Sequence, residues 1–175
     1  MNDRLGTPPS GIARLRPAGE DDVPRLVEIA RRAWLSAFAG HAPEPMIAYW
    51  RNADREPGWY ARYWPDMIVA EAGNLIVGLT QPAADEVNGL WVDPEWQGRG
   101  IGRLLLRAAE RHIGQMGHER AWLTCSGFNL RAAGFYRAVG YALDREEKEL
   151  HPSGVVETVW TFARRLGPPG TASSA

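Results

Sequence analysis

Three glycines stand at alternate positions near the middle of this chain. The stretch VDPEWQGRGIGRLLLRAAE places Gly98, Gly100 and Gly102 between an apolar strand-like segment and a helix-like segment. A loop that leads from a strand into a helix exposes unpaired backbone N–H groups at the positive end of the helix dipole. Glycines leave these donors open to an anion and permit the positive φ angles that turn successive amides inward. The pattern predicts a phosphate-binding loop, with a connection needed only for a tight turn as the alternative.

Two common nucleotide-binding motifs are excluded by the residues around the same loop. The dinucleotide fingerprint requires a glycine where this chain has Arg103, and an acidic residue near the end of the next strand, where LTCS has none. The phosphate loop of nucleoside triphosphatases requires Gly-Lys followed by Ser or Thr, whereas Gly102 is followed by Arg103 and Leu104. The loop therefore predicts an anion site of a different kind, to which Arg99 and Arg103 add positive charge.

The length of the chain predicts one domain. Its 175 residues are the size of a single hydrophobic core, and no internal repeat divides them. Both ends are too poor in apolar residues to join that core. We expect one domain over residues 11–166, with flexible tails at residues 1–10 and 167–175.

Composition limits the partners that the protein can have. The chain is 45% hydrophobic and 23% charged with a formal net charge of -1, which is typical of a globular protein and argues against nucleic acid. No uncharged apolar segment reaches the ~20 residues that span a bilayer, and no secretory signal is evident, so we expect no membrane association and a cytoplasmic location. The single cysteine, Cys125, and four histidines without ligand-like spacing predict no internal disulfide and no metal site.

Hydrophobic periodicity predicts the fold class. Apolar residues recur at helical spacing over residues 23–38 and 100–116, whereas short segments rich in β-branched residues are typical of strands. Residues 43–64 are expected to form two short helices that are separated near Pro57–Gly58. The order βααβββαβαββ predicts an α/β (α+β) fold, with a mixed central sheet of about seven strands and helices on both faces.

The glycine loop and three further segments resemble one known family. Gln97 to Gly102 fit the Q/RxxGxG/A pattern of the GNAT superfamily of N-acetyltransferases, and the preceding LWVDPEWQ resembles that family's fourth strand and turn. RPAGEDDVPRLVEI resembles its first strand and helix, and NLRAAGFYRAVGY resembles its second conserved block. The resemblance follows the family's order of elements from residue 12 to residue 166, and it implies the GNAT acyl-CoA N-acyltransferase fold.

The resemblance also implies acetyl-CoA as the cosubstrate. The family holds the pyrophosphate on the loop amides, and the pantetheine arm pairs with the splayed end of the fourth strand like an added strand. A backbone N–H near Val92 then stabilises negative charge on the thioester oxygen, and losing one such donor typically costs about 100- to 1000-fold in rate. The cofactor-binding residues implied are Leu90, Trp91, Val92, Gln97, Gly98, Arg99, Gly100, Ile101, Gly102, Arg103, Asn129 and Tyr136.

Asn129 and Tyr136 are expected on nearly one face of a helix. They are seven residues apart, which corresponds to about 10.5 Å along the helix axis, so one extended ligand can contact both. The resemblance implies that Tyr136 hydrogen-bonds the CoA sulfur and protonates the leaving thiolate. A phenol of pKa about 10 is a weaker acid than a thiol near 8.5, so this transfer needs tuning by the site. The alternatives are that Tyr136 only packs in the core and Asn129 only caps its helix.

An acceptor amine must lose a proton before it attacks. For an amine of pKa near 10.4, only about one molecule in 2000 is neutral at pH 7. Glu86 is at the strand position where many GNAT relatives have a general base, often acting through water, and Asp85 precedes it. Strand alternation sends these carboxylates to opposite faces, and an expected bulge near Leu90 leaves open which of them faces the site. A solvated glutamate at the strand end is the alternative for Glu86.

The candidate acceptor-binding residues are Trp59, Trp64 and Asp85. The two tryptophans lie with two tyrosines in a segment that lines the acceptor groove in relatives, and aromatic walls suit a cation or an aromatic group. Packing of these rings in the core is the alternative. Cys125 is expected to be a small buried hydrophobe and not a nucleophile, so that acetyl transfer is direct.

These residues together predict an enzyme that moves the acetyl group of acetyl-CoA to a primary amine of a small molecule. Glu86 is its expected general base and Tyr136 its expected general acid. One alternative is an acetyltransferase that acts on a protein or peptide amine, and another is a non-catalytic acyl-CoA sensor. Because exposed final strands often mediate dimers in this family, the resemblance favours a homodimer.

Overall fold

Segments with strand-like and helix-like periodicity form seven strands and five helices within residues 13–52 and 56–167, the part of the chain that this computed structural model describes. The strands are β1 (Arg14–Pro17), β2 (Ile68–Ala72), β3 (Leu75–Ala83), β4 (Glu86–Val92), β5 (Arg120–Ser126), β6 (Ala142–Leu150) and β7 (Val156–Arg165). The helices are α1 (Val23–Phe38), α2 (Glu44–Asn52), α3 (Glu56–Tyr63), α4 (Ile101–Gln115) and α5 (Leu130–Ala138). The expected tails, residues 1–10 and 167–175, lie outside the described residues except for residue 167.

The strands form one mixed sheet in the order β1-β2-β3-β4-β5-β7-β6. Neighbouring strands are antiparallel except β4 and β5, which are parallel. Helices cover both faces, so the expected fold class is confirmed. Residues 43–64 form the two expected short helices, which gives one helix more than the expected order. Because α3 begins at Glu56, Pro57–Gly58 lies in its first turn, where proline is tolerated, and not between the helices as expected.

Apolar side chains pack on both faces of the sheet. On one face, α4 buries Leu106 in a cluster that includes Val87 of β4. On the other face, α1 buries Leu26 in a cluster against which Trp91 of β4 packs. These two clusters define an α4 face and an α1 face of the sheet. No helix in the described part of the chain is long and apolar enough to cross a bilayer.

The parallel strands β4 and β5 pair only near their beginnings. Glu86 and Trp122 are the single pair in register, and the N–H of Trp122 donates to the carbonyl of Asp85 at 3.0 Å. Both strands continue beyond this pair, to Val92 and Ser126. Their C-terminal halves have no mutual register among the described residues, so the sheet opens between them.

A bulge lies in β4 beyond the last pairing with β5. The register between β3 and β4 shifts between Thr80 and Pro82, and Gly89 has a φ of 102°. The Thr80 hydroxyl donates to the Gly89 carbonyl at 2.9 Å. A bulge bends its strand and increases the local twist. The irregularity expected near Leu90 is therefore present one residue earlier.

Candidate active site

A cleft of about 460 Å3 lies where the end of β4, the N-terminus of α4 and the first turns of α5 meet. Of the twelve residues predicted to bind the cofactor, all except Arg99 line it. The remaining lining residues were not predicted to bind the cofactor, and they come from α1 and α5. They are Ala33, Ala37, Arg131, Ala132 and Phe135.

The glycine loop has the conformation expected for an anion site at two of its three glycines. Gly98 has a φ of 76° and Gly100 a φ of 81°, in the left-handed region that side chains disfavour. A Cβ added at either position would meet nothing within 4 Å among the described residues. Gly102 lies inside α4, and a Cβ there would make ordinary contact with Phe135 at 3.6 Å. The first two glycines set the loop backbone, whereas Gly102 contributes to packing.

At the end of β4, the backbone N–H of Val92 points away from β3. The N–H of Asp93 donates to the carbonyl of Val77 on β3 at 2.9 Å. Successive residues of an antiparallel strand direct their backbone groups to opposite sides, so the N–H and carbonyl of Val92 point to the opening between β4 and β5. The side chain of Gln97 donates to that Val92 carbonyl at 3.0 Å and ties the loop to the strand. The Val92 N–H is thus directed into the gap.

Three arginines lie around the loop, and they differ in what they contact. Arg103 and Arg131 line the cleft. The guanidinium of Arg99 lies over the ring of Trp96, 4.7 Å from its centre, in a cation–π contact. Arg131 was not singled out by any motif, although it lies two residues after Asn129 in the first turn of α5.

Asn129 both caps a helix and lines the cleft. Its side-chain oxygen accepts the N–H of Ala132 at 3.0 Å, which satisfies one donor at the start of α5. Its side chain also lines the cleft. Because the side-chain oxygen is engaged in the cap, the side-chain NH2 group is the part of Asn129 that is available to a ligand.

Tyr136 is buried and reaches the cleft. Its ring packs against Phe135 and Phe162, with ring centres 5.4 and 5.9 Å apart. Burial, together with the neighbouring Cys125, raises the pKa of the Tyr136 hydroxyl well above its usual value. Burial also raises the pKa of the Cys125 thiol to about 11. Both groups therefore keep their protons at neutral pH, and Cys125 matches the buried hydrophobe expected from the sequence.

Glu86 and Asp85 lie at the start of β4 and outside the cleft wall. Val87 packs on the α4 face, so strand alternation places Glu86 and Asn88 on the α1 face. Glu86 is four residues before Leu90, and because one of these residues belongs to the bulge, the two are about 10 Å apart along the strand. Burial and the neighbouring charge of Asp85 raise the pKa of Glu86. Asp85 lies in the two-residue turn between β3 and β4.

Trp59 and Trp64 pack against the hydrophobic core and do not line the cleft. Both contact the cluster that contains Leu26 and Met67, between α1 and the sheet. The ring of Trp59 also packs edge-on against Tyr60, with centres 4.9 Å apart. The structure therefore gives these rings the packing role that was the alternative expectation.

A second aromatic cluster lies beside the cleft and was not predicted. We call it the aromatic basin; it lies between α1, α2 and the ends of β4 and β5. The rings of Trp34 and Trp50 stack with centres 4.9 Å apart, and Trp91 belongs both to this cluster and to the cleft wall. Its residues come from distant parts of the chain, which is why no sequence motif indicates them: Trp34, Phe38, Met46, Trp50, Trp91 and Phe128.

A sheet that opens between two parallel strands, with a glycine loop at the adjoining helix, defines the acyl-CoA N-acyltransferase class of folds. The chain belongs to the acetyltransferase (GNAT) family, whose family model matches residues 23–141. It is similar to the mycothiol acetyltransferase of Propionibacterium freudenreichii subsp. shermanii, with 31% identity over 147 residues, 77% of this chain and 44% of that protein. The chain thus spans less than half the length of this relative.

Solved structures of the same family share the fold. A GCN5-related N-acetyltransferase from Rhodopseudomonas palustris matches with a TM-score of 0.79 and 24% identity, over 92% of this chain and 100% of that chain. The PaiA N-acetyltransferase of Thermoplasma acidophilum, solved in complex with coenzyme A, matches with a TM-score of 0.67 and 20% identity, over 88% and 99% of the two chains. At these identities the likeness establishes the fold.

Proposed function

We propose that this protein transfers the acetyl group of acetyl-CoA directly to a primary amine of a small molecule. The observation that carries the proposal is that one cleft joins a left-handed glycine loop to an unpaired strand edge. The loop suits a pyrophosphate, and the strand edge suits the amide-bearing pantetheine arm. An extended acyl-CoA requires both contacts. Family membership and the coenzyme A complex of a structural neighbour support the same ligand.

The residues of the cleft fit this cosubstrate. The amides from Gln97 to Gly102 and the first amides of α4 bind the pyrophosphate, and Arg103 and Arg131 balance its charge. Asn129 donates from its side-chain NH2 group to the arm. Bound acetyl-CoA supplies an activated acetyl group, and the protein orients it. The Val92 N–H, directed into the gap, is the donor that stabilises negative charge on the thioester oxygen.

Tyr136 acts at the leaving sulfur. Its raised pKa keeps the hydroxyl protonated, so it donates a hydrogen bond as negative charge develops on sulfur. Because the same raised pKa makes Tyr136 a weaker acid than the CoA thiol, it shares its proton with the thiolate late, through this hydrogen bond, and does not give it up completely. Cys125 keeps its proton and takes no covalent part, so we expect Cys125→Ala to retain turnover.

Glu86 is the general base of the proposed reaction. It is about 10 Å along β4 from Leu90, so it removes the amine proton through intervening water and not by direct contact. Its raised pKa makes it a stronger base than an ordinary glutamate. Asp85, whose charge raises that pKa, supports it from the adjacent turn.

A small-molecule acceptor is supported by the site and by a relative. The aromatic basin adjoins the cleft through Trp91, and aromatic walls suit a small organic cation. The relative from Propionibacterium freudenreichii carries a name that refers to acetylation of mycothiol. We expect one acceptor molecule to enter from the α1 face and to be acetylated beside Trp91.

Ligand-dependent thermal unfolding tests the cosubstrate. Acetyl-CoA at 100 times its Kd stabilises the protein by about 2.7 kcal/mol and raises the melting temperature, whereas NAD and ATP leave it unchanged. A melting temperature that does not respond to acetyl-CoA contradicts the proposal.

Release of free CoA, measured with a thiol reagent, tests the acceptor. We expect release with members of a panel of small primary amines and none without an amine. Release only with peptides that carry a free N-terminus or lysine would favour protein acetylation. Acetyl-CoA binding without release by any amine would favour a sensor.

A further inference from the structure

A buried carboxylate on β7 lies on the α1 face of the sheet, where no role is yet assigned to it. Trp160 and Phe162 of β7 pack in or against the α4-face cluster, so alternation places Glu157 on the opposite face. Cys125 of β5 also belongs to the α4-face cluster, which places the next residue, Ser126, on the α1 face. The Ser126 hydroxyl donates to the Glu157 carboxylate, in agreement with this placement.

Glu157 lies level with the reacting end of the cleft. Glu86 and Trp122 are paired in the parallel strands β4 and β5. Because the bulge adds one residue to β4, Trp91, five residues after Glu86, is level with Ser126, four residues after Trp122. Trp91 lines the cleft. The Ser126–Glu157 pair therefore lies across the opening from the strand segment that is proposed to hold the thioester.

Glu157 has no cationic partner in the described part of the chain. It is 8% exposed, and its described side-chain hydrogen bond comes from Ser126, whose oxygen in turn accepts the Phe128 N–H at 3.3 Å. Burial of a carboxylate is costly unless an opposite charge accompanies it. By contrast, the buried carboxylate of Asp93 contacts two arginines. Glu157 is therefore a buried carboxylate with which no cationic side chain of the described residues is paired.

Residues on both sides of the Ser126–Glu157 pair pack against the aromatic basin. Phe128 and Val155, two residues before Glu157, both pack against the cluster of Trp34. The indole N–H of Trp50 in the same basin is buried and has no hydrogen-bond partner among the described residues. Trp91 connects the basin with the cleft. A carboxylate beside aromatic rings, with an unused donor nearby, is the environment that binds an organic ammonium ion with a further polar group.

We propose that Glu157, held by Ser126, is the carboxylate that binds the ammonium group of the acceptor, with the acceptor's carbon skeleton in the aromatic basin. This proposal rests on the proposed acetyl transfer and names the acceptor class: a small primary amine with an apolar or aromatic body. Glu157 binds the protonated amine, and Glu86 takes the proton through water before attack. Glu157 is a binding residue and Glu86 the base.

Direct binding of matched probe pairs tests this assignment without turnover. Benzylamine, phenethylamine and tryptamine are compared with benzyl alcohol, phenethyl alcohol and tryptophol, by calorimetry on the CoA-saturated full chain. We expect wild-type protein to bind at least one amine about tenfold or more tightly than its alcohol, as a charge-assisted hydrogen bond requires. In Glu157→Gln that preference disappears, while alcohol binding and the stabilisation by acetyl-CoA persist.

Glu149→Gln is the matched control. Glu149 lies on β6 and is paired in register with Glu157 on β7. Because Glu149 is exposed, we expect its variant to keep the amine preference. Wild-type protein that prefers no amine over its alcohol overturns the assignment, even if Glu157→Gln does not fold. So does a Glu157→Gln protein with an undiminished preference. Wild-type protein that does not bind acetyl-CoA would contradict the proposed acetyl transfer, which is a different outcome from failure of the Glu157 assignment.

Discussion

Arg25 on α1 donates from Nη2 to the Asp93 carboxylate at 2.7 Å, at the point where β4 ends and the glycine loop begins. Arg32 Nη1 donates to the same oxygen at 3.0 Å. The other Asp93 oxygen accepts the Glu95 N–H at 3.2 Å. Because Ala33 of α1 lines the cleft, this ion-paired carboxylate fixes one cleft wall relative to the loop.

Replacing Asp93 is expected to destabilise the fold strongly. Asp93 is 1% exposed, and removing one partner of a buried ion pair costs up to about 3 to 5 kcal/mol, an upper bound here because Arg25 and Arg32 are partly exposed. Denaturant unfolding of Asp93→Ala measures the loss. The control is Glu95→Ala, because Glu95 is exposed and its ion pair with Arg32 contributes at most about 1 kcal/mol. Equal losses in the two variants would show that Asp93 has no special role.

Gly78→Ala is expected to disturb the strand that faces the thioester. A Cβ at Gly78 would lie 2.9 Å from the Trp91 carbonyl oxygen and 2.9 Å from Leu105 Cδ1. The clash with backbone forces β4 or α4 to shift, at about 1 to 3 kcal/mol, and weakens acetyl-CoA binding.

Gly134→Ala is the control for that substitution. Gly134 lies in α5, and an added Cβ meets nothing within 4 Å among the described residues. Alanine there raises helix stability by up to about 1 kcal/mol. Thermal unfolding and the acetyl-CoA Kd are measured for both variants. Unchanged Kd in Gly78→Ala would mean that the strand absorbs the clash without moving the site.

Tyr136→Phe is expected to slow turnover and to leave acetyl-CoA binding nearly unchanged. Removing a hydrogen bond to a developing thiolate lowers kcat by about 10- to 100-fold. Tyr141→Phe is the control, because Tyr141 is buried in the same cluster but does not line the cleft. Steady-state kinetics separates kcat from KM. A Tyr136→Phe enzyme with wild-type kcat would leave this residue with a packing role only.

Glu86→Gln is expected to remove the acid limb of the pH–rate profile. The base works when ionised, so wild-type kcat/KM falls as pH drops through the raised pKa of Glu86. Glu86→Gln loses that limb and about 100- to 10,000-fold in rate near neutral pH. The loss shrinks at high pH, where the amine itself becomes neutral.

Asp85→Asn is expected to shift the acid limb of the pH–rate profile without removing it. The charge of Asp85 contributes to raising the pKa of Glu86, so removing it moves the acid limb to lower pH and keeps turnover. Rates measured across pH for both variants check the assignment. If the acid limb of the pH–rate profile is unchanged in Glu86→Gln, that limb belongs to another group and Glu86 is not the base.

Local patterns in the sequence were enough to predict most helices and strands and the glycine loop. Hydrophobic periodicity is a local property, so it located the helix over Ile101–Gln115 and the strands on either side. The positive φ at Gly98 and Gly100 is likewise local, because it depends on residues that lack a Cβ. Motif spacing also placed Asn129 and Tyr136 together, and both line the cleft.

The side chains that meet at the acceptor end depend on how the strands and helices pack together. The opening between β4 and β5 depends on pairing that stops after Glu86 and Trp122, which no local pattern records. The aromatic basin and the Ser126–Glu157 pair are assembled from strands and helices that are distant in the chain. Trp59 is equally aromatic, yet it packs in the core. Periodicity gives a residue's place on its own element, whereas register and packing between elements determine its neighbours.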